Sequence, residues 1–240
     1  MKTFAAHFSL SAPAANPEAW SELITRPRLC IQGLALLSVV CGLAGLVLGL
    51  LFAPASAQMG ETYRIVLVHV PASWLSMLLY LIMAVCAADG LLRHNSLAAP
   101  MARAMAPTGA LMAVLSLGTG ALWGLPTWGT WWVWDARLTS MLILLFFYIA
   151  FIVLSHAIMD RQGAERVGFL LLLVGVINIP IVHFSVHWWN SLHQGASISL
   201  GKPALMSPLM LWGVLLMVLC FTFYAATMTL LRLRTNHALA

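Results

Sequence analysis

The sequence predicts an all-α polytopic membrane protein, six transmembrane helices whose short outer loops form one shared ligand site. Three observations carry this expectation. Only 8% of the 240 residues are charged and 62% are hydrophobic, against about 25% charged in a soluble domain. Several uncharged apolar runs exceed the roughly 18–20 residues that a helix needs to cross a bilayer core about 30 Å thick. These runs are continuous rather than alternating, the pattern of helices and not of a barrel.

Residues 1–28 form a cytoplasmic N-terminal segment. Asn16, Pro17 and the following "EAWSELI" read either as a short capped helix lying on the inner surface or as a partly ordered tail. The first span covers 29–52. Ala55-Ser56-Ala57 behind it resembles a signal-peptidase site, but the apolar run is much longer than the about 7–15 residues of a signal peptide, so a retained span is expected. Spans at 65–88 and 104–124 follow, joined by "DGLLRHNSLAAPMAR", and then spans at 138–159 and 167–189, joined by "DRQGAERVG". Both connections read as short, polar, basic turns on one side. The last span covers 208–231 and leaves a tail at 232–240. Residues 29–231 thus form a single membrane domain. Pro180 and several glycines give its helices room to flex.

Sidedness follows from the cationic loops. Lys2, Arg26, Arg28, Arg93, Arg103, Arg161, Arg166, Arg232 and Arg234 fall on the side of the termini, and Arg64, Arg137 and Lys202 on the other. Because Lys and Arg accumulate in cytoplasmic loops, both termini are expected in the cytoplasm. The net charge of +5 is then a consequence of orientation, and no nucleic-acid partner is needed to explain it. Cys30, Cys41, Cys86 and Cys220 sit in apolar runs without a C-x-x-C pair, as small hydrophobes rather than redox or zinc ligands.

With this topology, residues 53–64, the loop at 123–139 and residues 190–207 roof the outer mouths of the helices. His69, His183, His187 and His193 lie at that depth. His69 falls inside an apolar run, where an unpaired ionisable side chain is costly and marks function. His187, beside Trp188 and Trp189, reads instead as an interfacial ring, and solvent alone could satisfy His193. The stretch "WGLPTWGTWWVWDARLT" concentrates Trp123, Trp128, Trp131, Trp132 and Trp134 on one segment, whereas Trp20, Trp74 and Trp212 suit an ordinary interfacial belt. Five indoles on one bent segment are expected to build a flat aromatic surface for a large planar ligand. Two histidines could ligate a metal at the centre of that plane, Arg137 could pair with acidic edge groups, and Asp135 could orient an indole, Arg137 or a ligating histidine. Haem combines a planar apolar ring, a metal and acidic edge groups.

The run "WGTWWVWDARLT" resembles the tryptophan-rich WWD signature of haem-handling proteins of cytochrome c maturation. With "HVP" at His69 to Pro71 and "WWNSLHQG" at Trp188 to Gly195, the chain resembles the haem exporter C family from about Pro54 to Pro208. The resemblance implies haem b bound as cargo at the periplasmic face of a bacterial inner membrane. It implies His69 and His193 as iron ligands, with Trp123, Trp128, Trp131, Trp132, Trp134 and Asp135 at the family's motif positions. Arg137 also matches, and its pairing with a haem propionate is an inference from charge. His183 and His187 match no role. The implied partners are a periplasmic haem chaperone, an ABC transporter of ATPase and permease subunits, and a small single-span membrane subunit. With no G-x-x-x-x-G-K-[ST] loop, the chain is expected to be a binding and transfer subunit rather than an enzyme. The alternatives are a lyase-like WWD protein that attaches haem directly, against which the short chain without a large outer domain counts, and a structural subunit anchored by its tryptophans.

Overall fold

The computed structural model describes residues 28–193 and 205–238, so the N-terminal segment at 1–27, Trp20 within it, and Lys202 lie outside the described residues. Helix α1 (Arg28–Val47) continues through a wide π turn at Leu48–Phe52, and a 3₁₀ turn at Glu61–Ile65 leads into α2 (Val66–Arg93). Then come α3 (Ala98–Trp128), α4 (Ala136–Ala157), α5 (Arg161–Gly175), α6 (Asn178–Trp188) and α7 (Pro208–Ala238). They make up six segments long and apolar enough to cross a membrane: Arg28–Phe52, Glu61–Arg93, Ala98–Trp128, Ala136–Ala157, Arg161–Trp188 and Pro208–Thr235. The expected all-α, six-span architecture is therefore what the chain forms.

Helices α2, α3 and α7 run past the apolar runs that announce them. Helix α2 passes the expected end at 88 and stops at Arg93, where His94 adopts a left-handed conformation (φ 53°). Asp89 at this end accepts from Arg93 one turn on (3.5 Å) and from Asn95 (2.6 Å). The connection to α3 shrinks to residues 94–97, and "DRQGAERVG" is mostly the first turns of α5, whose start is capped by Asp160 accepting from the Gly163 amide (2.8 Å). The tryptophan segment is shortened in the same way. Helix α3 runs through Trp128 and ends at Gly129 (φ 76°), whose N–H bonds back to the Leu125 carbonyl at 3.0 Å. A side chain would be strained in that conformation, which is why the helix ends there. Asp135 then caps α4 through the Leu138 amide at 2.8 Å, leaving 129–135 as the non-helical part.

The fifth span is broken at residues 176–177. Pro180 has no N–H for the Val176 carbonyl, so the helical ladder is interrupted one turn before it. Buried Asn178 holds the break in place by donating to the Ser140 carbonyl of α4 at 2.8 Å.

Helices α2 to α6, joined by Ala225 of α7, enclose the larger core around Tyr80 and Tyr148, both fully buried and in edge contact at 5.2 Å. Tyr148 donates to the Ser76 carbonyl (2.6 Å) and Tyr80 to that of Leu171 (3.4 Å), so neither hydroxyl is left unpaired in the apolar interior. Gly109 faces the Tyr148 ring so closely that any Cβ there would overlap it. A second cluster, Ala53, Val66, Leu67, Met210, Val214 and Met217, joins α1 and α7 to the start of α2. Large apolar residues such as Val39, Val85, Phe146 and Val153 remain on the outside, as lipid-facing helices require.

Candidate functional site

At one end of the bundle the starts of α2 and α4, the end of α3, helix α6 and the segment after it surround a cavity of about 290 Å³. Its walls are largely apolar, and His69, Trp123, Arg137, His183, His187 and His193 all contribute to them. Four of the expected positions, His69, Trp123, Arg137 and His193, are thus brought to a single space.

His69 stands one turn into α2 and is clasped by α3. Its Nδ1 lies 3.0 Å from the Thr119 hydroxyl, and a Cβ at Gly120 would press on its Cε1 at 3.2 Å, so the missing side chain makes room for the ring. Thr119 spends its own proton on the Leu115 carbonyl at 2.6 Å. Its oxygen must therefore accept from His69 Nδ1–H, which leaves Nε2 with a free lone pair.

His193 reaches the same state by a different route. Its Nδ1 is 2.9 Å from Asp135 Oδ2, and both side chains are 9% exposed. A carboxylate only accepts, so Nδ1 carries the proton and Nε2 again has the lone pair. Asp135 also accepts from the Leu138 amide and from the Ser191 hydroxyl, while Ser191 accepts the His193 backbone N–H at 3.0 Å. Burial pushes the Asp135 carboxyl up, but the bonds from Ser191, Leu138 and His193 outweigh it and hold the group below its ordinary value. Burial holds His193 below the ordinary imidazole value, although Asp135 pulls the other way. The pair is accordingly a carboxylate accepting from a neutral imidazole, the arrangement that orients metal-ligating histidines.

Arg137 donates to Ser185 (3.4 Å) and to the His183 carbonyl (3.2 Å). Among the described residues it forms no ion pair with a carboxylate, so donors of its five-proton fork remain available. The four cysteines are free, and no group of three or more His, Cys, Asp or Glu could hold a bare cation among the described residues. Two imidazoles are too few for a bare ion but enough for a metal that brings its own equatorial ligands, as haem iron does. The apolar walls, the two imidazoles and a guanidinium without a carboxylate partner among the described residues all fit that group. The volume is at the small end of the about 300–1,000 Å³ range of ligand pockets.

The indoles depart from the expected flat platform. Trp123 meets Trp128 at 78° and Trp132 meets Trp134 at 75°, with centroids 5.3 and 5.4 Å apart. Edge contacts are the favoured packing of aromatic quadrupoles, and the helical turn through Trp128 rotates neighbouring indoles away from one plane. Trp128 instead backs His193, ring centroids 4.8 Å apart, while Trp131 and Trp134 are 53% and 79% exposed. Sequence reasoning missed Thr119, Gly120 and Ser191. Thr119 precedes Trp123 by one helical turn, which places the two on one face of α3, and that spacing was the available signal.

The family model described as heme exporter protein C matches residues 11–239 of the chain. Heme exporter protein C of Escherichia coli is 48% identical over 206 residues, covering 85% of this chain and 82% of its own. That of Haemophilus influenzae is 45% identical over 225 residues, covering 92% and 89%. A Marchantia polymorpha protein, named as a putative cytochrome c biosynthesis ccmC-like mitochondrial protein, is 47% identical over 147 residues, covering 61% and 62%.

Proposed function

The chain belongs to the heme exporter protein C family, and we propose that it binds haem b as cargo and presents it to a periplasmic haem chaperone during cytochrome c maturation. One observation carries the proposal: His69 and His193, from different elements, border one cavity, each with Nδ1 engaged and Nε2 free. They would take the axial positions on the iron. Arg137 would pair with a propionate by charge-assisted hydrogen bonding, and Trp123 would pack against the apolar edge of the macrocycle. Trp131 and Trp134, turned outward, would serve contact with the chaperone rather than haem stacking, with Trp128, Trp132 and Asp135 holding the segment and His193 in position.

The cationic residues, nine on the side of the termini against three on the other, support both termini in the cytoplasm and the tryptophan segment in the periplasm. Without a phosphate-binding loop of its own, the chain would leave ATP hydrolysis to the ATPase and permease subunits of an associated ABC transporter, with a small single-span subunit completing the complex. The test is delivery. Loaded wild-type protein is expected to pass haem to a purified chaperone. His69→Ala and His193→Ala are expected to hold haem more weakly, with altered iron ligation, and to fail in delivery, whereas a Trp131→Ala, Trp134→Ala double substitution is expected to keep haem and slow transfer. Full delivery by both histidine variants would contradict the proposal.

A further inference from the structure

Tyr63 lies in the 3₁₀ turn that leads into α2. Its ring walls the cavity of the two histidines and also a second cavity, about 490 Å³, bounded by residues 54–59 and 205–207. Its hydroxyl is sealed from solvent and has no hydrogen-bond partner; among the described residues only Trp132 Nε1 shares that condition. A phenol O–H is both donor and acceptor, and a buried one is ordinarily paired, as those of Tyr80 and Tyr148 are. Its neighbours in the turn are committed elsewhere: Arg64 bonds Glu61 and the Gly49 carbonyl. Met59 and Met206 border both cavities beside it, and their unbranched side chains yield readily to an incoming group.

We propose that the Tyr63 hydroxyl is a donor kept for the cargo, bonding a propionate carboxylate of the haem. It shares with Arg137 the recognition of the acidic edge, Arg137 supplying charge and Tyr63 a directional neutral bond. The inference rests on the haem site proposed above and adds a determinant of ligand choice: the site selects a porphyrin with free carboxylates. It also orients the macrocycle, its acidic edge toward residues 54–59.

The test uses the full-length, haem-free protein, wild type and Tyr63→Phe, titrated with ferric protoporphyrin IX and with its dimethyl ester. Tyr63→Phe is expected to weaken binding of the diacid about five- to tenfold, about 1–1.4 kcal/mol, to leave the ester unaffected, and to leave the haem-free unfolding temperature unchanged or raised, because an unpaired buried O–H is removed. Equal weakening of both ligands, or none of either, would overturn the proposal, as would a lowered unfolding temperature, which would make the hydroxyl structural. In wild type the diacid is expected to bind more tightly than the ester, and equal affinities would again overturn it. The histidine variants report separately: an unchanged iron spectrum in His69→Ala and His193→Ala removes the haem-site reading, whatever Tyr63→Phe does.

Discussion

Two imidazoles are put into one protonation pattern by two unlike neighbours, Thr119 for His69 and Asp135 for His193. Orienting groups of this kind are typically worth about 10–100-fold in metal affinity. Thr119→Val keeps the shape of the side chain and deletes the acceptor, so haem affinity is expected to fall about tenfold or more, by titration, with the helix intact. Asp135 does two things, and they can be separated. Asn caps helices about as well as Asp, so Asp135→Asn is expected to preserve most of the thermal stability while lowering haem affinity about 10–100-fold. Asp135→Ala is expected to lose the same affinity and a further roughly 0.5–2 kcal/mol of stability from the bare α4 terminus.

The same pair fixes the direction of the pH dependence of the haem-free protein. His193 is held below the ordinary imidazole value and Asp135 below the ordinary carboxylate value. In both cases the unfolded chain takes up the proton first. Stability is therefore complete above about pH 6.5, declines as pH falls below it through His193, and declines again below about pH 4 through Asp135. Thermal unfolding followed from pH 8 to about pH 2 is expected to show a falling midpoint, and Asp135→Asn is expected to remove the part of the decline below about pH 4. A midpoint that rises on acidification would contradict the assigned charge states. His69 and His193 were legible in the sequence from the apolar setting of one and the motif of the other. Thr119 and Ser191 were not, because a hydroxyl in a span or loop has an ordinary explanation and only tertiary packing shows that it faces a histidine.

At the scale of elements, long apolar runs announced every span, and the errors lie where charge and helix coincide. Asp89, Arg93 and Asn95 read as a polar turn, yet their mutual bonds extend α2. Asp160 reads as loop, yet it starts α5. Long cationic side chains reach the interface from a helix end without ending the helix. The break between α5 and α6 follows from Pro180, but the bond that fixes its direction, Asn178 to the Ser140 carbonyl, joins residues 38 apart in sequence. Asn178→Leu fills similar space without that donor. It is expected to cost about 1–3 kcal/mol in thermal unfolding and to loosen haem, since α6 carries the His183 carbonyl and Ser185 that hold Arg137.

Across the whole molecule, the larger core between α2 and α6 and the smaller one joining α1 and α7 to α2 set five elements around one mouth. Fold class and family could be read from composition and from three short motifs. The packing of the indoles could not, since a helical end and edge-to-face contacts are tertiary outcomes, and the structure makes Trp123 a wall and Trp128 a support where a common flat surface was expected. The central claim, that one cavity offers haem iron a histidine from each of two elements, is tested most directly by magnetic circular dichroism of the purified ferric haem-loaded protein. A low-spin bis-imidazole spectrum is expected in wild type, giving way to a high-spin spectrum in either His69→Ala or His193→Ala. A spectrum that stays bis-imidazole in both variants would contradict it.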